Sequence, residues 1–413
     1  MLILADSGIL IMLIQGEQVN SLNVEQLVEN IFGASVHAKR KQSLANAALG
    51  VINSASLIVH RIGLGLAAAN KLLGKHAVKQ VDRLLSNDKL NVFDCFAQTV
   101  PYIIGSRKEI VVAMDWTDFD HDKQSTIQIS LVTSHGRATP LIWKTVNKKG
   151  LKNKRNDYED ELLQRFKEVL PGDVKVTVLA DRGFGDTKLY DFLKNDLGFD
   201  FVIRFRGNIK VTDVYGETRD AIDWVGANGR AKTLRNAKVT AMLCEVPTVV
   251  CVKAKGMKQA WCIAASNATA VAGVLIRWYA KRWGIEPQFR DTKDLHFGMG
   301  LSKTSISEPS KRDRLLLIST IAVLVLTLFG AVGEKLGMDR YLKVNTVKHR
   351  TMSLFRQGCN YYNQMLRMTK IELKNFLTCF LDLLTEHKNL QEILWVIYMR
   401  GYERAQIQLQ LHL

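Results

Sequence analysis

Two short apolar runs that each end in an aspartate, IVVAMD at 110–115 and VTVLAD at 176–181, restrict the fold of this chain more than any other feature. A run of that length with no polar alternation fits a strand covered on both faces, as parallel neighbours are in a helix-flanked sheet. Such strands end at a common edge, where open α/β sheets place their ligands. Asp115 and Asp181 are therefore expected to emerge side by side.

The surrounding segments supply the order of elements. TIQISLVTS (126–134) and TPLIWKTV (139–146), joined by HGRA, read as an antiparallel hairpin. The basic run NKKGLKNKR (147–155) follows. YEDELLQRFKEVL (158–170) then reads as a helix, acidic in its first turn and stopped by Pro171 and Gly172. With a helix over 187–195 and a strand over 200–206, the order is β-β-β-α-β-α-β, an α/β mixed sheet with helices on its faces. From 208 to about 265, VTDVYG, KVTAMLCEV, TVVCVKAKG and QAWCIAAS alternate between breaks, which points to an inserted β-rich subdomain. Upstream, short helices are expected near 23–32, across 42–72 and near 75–86. Basic clusters at 37–41 and 71–83 suit either a binder of DNA ends or a solvated helical cap. The string Gly63, Gly65, Ala68 carries little weight as a dinucleotide fingerprint, because no clear strand precedes it.

WYAKRWGIEPQFRDTK, at 278–293, carries the chemistry. Tyr279, Arg282, Glu286 and Lys293 fall three, four and seven positions apart, offsets that share one helix face. That face is too polar for a core seam, whereas Trp278, Trp283 and Phe289 beside it suit burial. Pro287 predicts a kink or a helix that starts at the proline. If Glu286 joins Asp115 and Asp181, three carboxylates converge. Two carboxylates about 4 Å apart repel by roughly 4 kcal/mol at an effective dielectric near 20. They need a cation, and all-oxygen donors suit Mg²⁺ or Mn²⁺, held as a pair for in-line phosphoryl displacement. Trp261, shortly before this stretch, is either a core residue or a stacking platform for an unpaired base.

Charge names the partner class. Lys and Arg number 57 against 40 Asp and Glu, a net +17, which favours a polyanion, nucleic acid before a membrane surface. Six scattered cysteines without CxxC spacing read as reduced packing residues. The apolar stretch at 8–14 lacks a basic flank and makes a poor secretory signal, and Met12 is an alternative start. LLLISTIAVLVLTLFGAV, at 315–332, is long enough to span a membrane, but a helix buried against the sheet accounts for it equally and is preferred here. Beyond 339 the chain reads as helical, with apolar periodicity in IELKNFLTCFLDLLTEH and LQEILWVIYM.

DWT around Asp115, ADRGF around Asp181 and the Tyr-x2-Arg-x3-Glu-x6-Lys spacing of Tyr279, Arg282, Glu286 and Lys293 together resemble the DDE transposases of bacterial insertion sequences, closest to the insertion-sequence-four family. The resemblance implies an RNase H-like core, nicking and strand transfer that depend on two Mg²⁺ ions, with Mn²⁺ able to substitute, and a homodimer assembled on the inverted repeats of double-stranded DNA in the bacterial cytoplasm. It implies Asp115, Asp181 and Glu286 as the metal-binding triad, with Asp118, Asp120 and Asp186 the nearest alternatives. Arg282 and Lys293 would contact DNA phosphate near the cleaved end with Tyr279 supporting them, and Trp261 would stack on a flipped base. The expected division is a helical DNA-binding region at 1–105, a catalytic core at 106–207 and 269–338 interrupted by the β-rich stretch 208–268, and a helical C-terminal region at 339–413 that either serves as a dimer interface or, more simply, packs within the chain. The rival functions are a nuclease that does not join strands, a catalytically silent DNA-binding protein and a membrane protein.

Overall fold

The computed structural model describes residues 21–385, so the stretches at 8–14 and 391–399 lie outside the described residues. Five helices come first: α1 (Ser21–Phe32), α2 (Ala38–Ser54), α3 (Val59–Asn70), α4 (Gly74–Leu85) and α5 (Val92–Ile104). The helices expected across 42–72 are α2 and α3, parted where Ala55 takes a left-handed conformation (φ 46°) at the end of α2. The nearby glycines pack helices together. A Cβ on Gly63 would lie 2.4 Å from the Val78 side chain, and one on Gly65 would lie 2.4 Å from the Gly50 carbonyl.

The sheet begins with β1 (Glu109–Phe119), β2 (Gln124–Leu131) and β3 (Thr139–Asn147), an antiparallel meander. α6 (Arg155–Val169) leads to β4 (Lys175–Ala180), and α7 (Thr187–Asp191) leads to β5 (Asp200–Phe205). β4 lies parallel to both β1 and β5. This is the order expected from the apolar runs. β6 (Lys210–Thr212), β7 (Thr218–Asp220), β8 (Lys232–Val239), β9 (Cys244–Val252) and β10 (Trp261–Ala265) follow. They do not close a sheet of their own. β10 pairs with β5, and all ten strands form one mixed sheet in the order β3-β2-β1-β4-β5-β10-β9-β8-β6-β7.

Strand alternation assigns the two faces. Ile110, Val112 and Met114 of β1 join the larger core, whereas Val111 and Ala113 join a smaller one with Leu179, Val202 and Ile263. The smaller core is closed by α8 (Ala272–Lys281) and α9 (Ile285–Lys293) through Leu275, Tyr279 and Ile285. On the other face runs α10 (Pro309–Lys335), followed by α11 (Leu354–Gln364) and α12 (Lys370–Thr385). The most apolar 18-residue window of α10 is 89% buried, packed against α2, α11 and β3, so its composition is accounted for by burial within the protein. Arg314 of α10 ties the N-terminal helices to this core by donating to the Leu85 and Leu90 carbonyls and to Asp88.

Candidate active site

Asp115 follows Met114, and Asp181 follows Ala180, the last residue pair of the parallel β1–β4 ladder. Alternation gives Asp115 the face of Val111 and Ala113, and gives Asp181 the face of Leu179. Both are therefore on the face that α8 and α9 cover. The break between those helices falls at Arg282–Gly284, ahead of Pro287. Pro287 lies in the first turn of α9, where its missing N–H goes without an intrahelical partner in any case.

The break turns Arg282 inward. Its side chain is 6% exposed, and Nη1 lies 3.2 Å from Asp115 Oδ2 while Nη2 lies 2.8 Å from Glu286 Oε1. Its Nε is buried and has no partner among the described residues. Tyr279 is also buried, in contrast to the open polar face expected from the sequence, and Trp283, expected to be buried, is 53% exposed. The 3-10 turn at 282–284 changes the helical phase between Tyr279 and Glu286, so the four residues do not share one regular face. Lys293 packs against the end of β1, its Nζ 2.9 Å from Thr117 Oγ1 and 2.6 Å from the Asp118 carbonyl. Trp261 opens β10 and meets Tyr279 edge-on at 4.9 Å and Trp283 at 6.3 Å.

The alternative aspartates have other engagements. Asp118 accepts from Ser125 and pairs with Lys148, Asp120 pairs with Lys148, and Asp186 caps α7 and accepts from Asn156. Asp181 Oδ1 accepts the Gly183 N–H at 2.7 Å, which shapes the Arg182–Phe184 turn. Two site residues escaped sequence reasoning. Arg204 of β5 donates to Gln259 and to the Ala260 carbonyl and its charge acts on the Tyr279 hydroxyl, and a lone cation within FDFVIRF was the available signal. Trp283 had none, since only the helix break exposes it.

Burial pushes the Asp115 carboxyl up to about 6 against the pull of Arg282, with the Asp181 and Glu286 charges adding to the push. The three carboxylates therefore share one electrostatic site. Burial likewise raises Glu159 to about 7, although the Trp116 indole, one residue past Asp115, donates to it at 2.8 Å. The folded protein holds a proton there that the unfolded chain releases, so Glu159 makes stability fall as pH rises from 4.5 toward 7. Glu159→Gln keeps an acceptor for Trp116 and removes the ionisable group. Its melting temperature should exceed that of the wild type above pH 7, with a flatter slope through that window; identical pH profiles would show that Glu159 is not the source.

The transposase DDE domain family matches residues 106–325, more than half of the chain and the whole span from before β1 to within α10. The chain belongs to that family. It is a DDE transposase, an enzyme of a phosphodiester-cleaving family, and its mixed ten-stranded sheet with an N-terminal helical region is consistent with an RNase H-like domain. No curated protein matches the chain. Membership implies DNA binding and the use of a divalent metal. The donor set suits a hard cation: Asp115, Asp181 and Glu286 offer only oxygens, and their mutual repulsion is felt at Asp115. As the side chains stand, among the described residues no three His, Cys, Asp or Glu are close enough to hold an ion, and the Arg282 guanidinium is the cation between Asp115 and Glu286.

Proposed function

We propose that this transposase is of the insertion-sequence-four kind, carrying the Tyr279, Arg282, Glu286, Lys293 signature. It binds the terminal inverted repeats of its element as a homodimer in the bacterial cytoplasm and catalyses cleavage and strand transfer. Asp115, Asp181 and Glu286 are assigned as the ligands of two Mg²⁺ ions, with Mn²⁺ able to substitute. The observation that carries this assignment is the Arg282 bridge, which ties the helix bearing Glu286 to the strand bearing Asp115. Bound there, the ions would lower the pKa of the attacking hydroxyl and stabilise the leaving oxygen.

The remaining roles belong to the chain itself. Both Nη atoms of Arg282 face Asp115 and Glu286; with those carboxylates holding metal ions, Arg282 would be released to offer a phosphate two parallel hydrogen bonds that a lysine could not reproduce. Tyr279 holds Arg282 in place, with the guanidinium 5.8 Å from its ring centroid. Lys293 would contact phosphate near the cut, and Trp261, edge-on to the exposed Trp283, would offer an aromatic surface to an unpaired base. In the same assignment, 1–105 binds DNA, 106–207 and 269–338 form the catalytic core around the stretch 208–268, and 339–413 contributes the dimer interface.

The test is a labelled duplex carrying the terminal repeat, incubated with Mg²⁺, Mn²⁺ or EDTA. Metal-dependent nicking at the repeat boundary that disappears in Glu286→Gln is the expected result. Binding without cleavage in every metal would instead identify a catalytically silent DNA-binding protein. Arg282→Ala should weaken end binding and lower its salt slope by about one; an unchanged slope would remove Arg282 from the phosphate contacts.

A further inference from the structure

The basic run that follows β3 has no part in the site described above. Residues 148–151 form a 3-10 turn, and Arg155 opens α6. Lys149, Lys152, Lys154 and Arg155 are all exposed. Among the described residues Lys148 has carboxylates in ion-pair range, Asp118 and Asp120, whereas no acid pairs with Lys149, Lys152 or Lys154. Three neighbouring cations are thus left uncompensated.

Two contacts mount this run on the strand that carries Asp115. Arg155 lies over the Trp116 ring, 4.9 Å from its centroid. Asp118 receives Lys148 on its carboxylate and Lys293 on its backbone carbonyl, so it joins the run to the end of the helix that bears Glu286. The position follows from the register. Asn147 pairs with Gln124, which pairs with Phe119, at the end of β1 that lies beyond Asp115. At about 3.3 Å per residue and about 4.8 Å per strand, the run begins roughly 16 Å from Asp115. That corresponds to about five base pairs of duplex.

We infer that Lys149, Lys152 and Lys154 form a contact strip for the phosphodiester backbone of duplex DNA beside the reacting bond, independent of base sequence. The inference rests on the transposase assignment and adds to it a surface outside the Tyr279, Arg282, Glu286, Lys293 set. Long flexible cations on a short turn supply point charges without base readout. The duplex could be the flank of the element's own end or the target, and both present the same phosphate chemistry.

The experiment uses the full-length chain as wild type, with Lys149, Lys152 and Lys154 all changed to Gln, and with all three changed to Arg. Affinity for a mixed-sequence duplex in EDTA is measured against salt, and nicking of supercoiled plasmid is measured in Mn²⁺. The Gln variant should lose about two to three from the salt slope, at about 0.9 per phosphate contact, with an unchanged melting temperature, and the Arg variant should keep the slope. A wild type that binds and nicks beside a Gln variant with an unchanged slope overturns the strip alone. A wild type that neither binds nor nicks overturns the transposase assignment and the strip with it. A pre-cleaved terminal duplex offered to a plasmid target separates the two sources. Loss of end binding in the Gln variant assigns the strip to the element's flank, and loss of joining with end binding intact assigns it to the target.

Discussion

Asp115→Asn is expected to lower metal-dependent cleavage at least about a thousandfold, equivalent to about 4 kcal/mol of transition-state stabilisation. The substitution preserves shape, so its effect isolates charge. Asp115 is largely buried, faces Arg282 and lies within the field of Asp181 and Glu286. Replacing it by an amide removes one anion from the set that, in the proposed assignment, would attract a divalent ion. Arg282 would keep only Glu286 as its charged partner, at 2.8 Å, and would remain folded inward. End binding should persist, because the basic surfaces are untouched, while Mn²⁺ affinity should fall with the cleavage rate. Near-normal cleavage by Asp115→Asn would exclude Asp115 from the metal-binding triad, whatever its position beside Asp181.

Gly358→Val should unfold the C-terminal helical layer at ordinary temperatures, with a loss of roughly 3–5 kcal/mol, near the upper end for a single substitution. A Cβ on Gly358 of α11 would lie 1.8 Å from the Leu326 carbonyl of α10, and one on Gly330 of α10 would lie 2.0 Å from the Leu354 carbonyl of α11. The two helices therefore touch backbone to backbone at two reciprocal points. Neither obstruction is a side chain that can rotate away, so the helices must separate. Helix propensity predicts the opposite sign for Gly358→Ala, a gain of about 1 kcal/mol. Urea unfolding decides between them: a lower midpoint for Gly358→Ala, and a much lower one for Gly358→Val, would establish the close crossing, whereas a raised midpoint for the alanine would refute it.

The strands around the carboxylates were legible because each signal was local. An apolar run without alternation marks a strand covered on both faces, and IVVAMD and VTVLAD became the parallel pair β1 and β4. Parity along those strands also places both aspartates on one face. The shape of the stretch at 278–293 was not legible. Spacing alone treats Tyr279, Arg282 and Glu286 as equivalent members of a regular helix, whereas the 3-10 turn at 282–284 rotates the later residues relative to the earlier ones. Arg282 is buried and Trp283 exposed for that reason, the reverse of what their polarities predict. The apolar run in α10 was ambiguous in principle, since lipid and protein interior select the same side chains; the packing of α2, α11 and β3 around it resolves the ambiguity.

The sequence by itself determined the order of elements, the ends of the two central strands and the surplus of positive charge. Those properties follow from periodicity, charge count and residue type, which need no partner. Tertiary structure alone decided that the strands from 210 to 265 continue the central sheet, that the glycines of α2, α3, α10 and α11 are points of helix contact, and that Arg282 lies between Asp115 and Glu286. Each of these depends on which distant surfaces meet. A side chain carries its charge and volume with it, but its neighbour across the fold is chosen by the packing of every element at once.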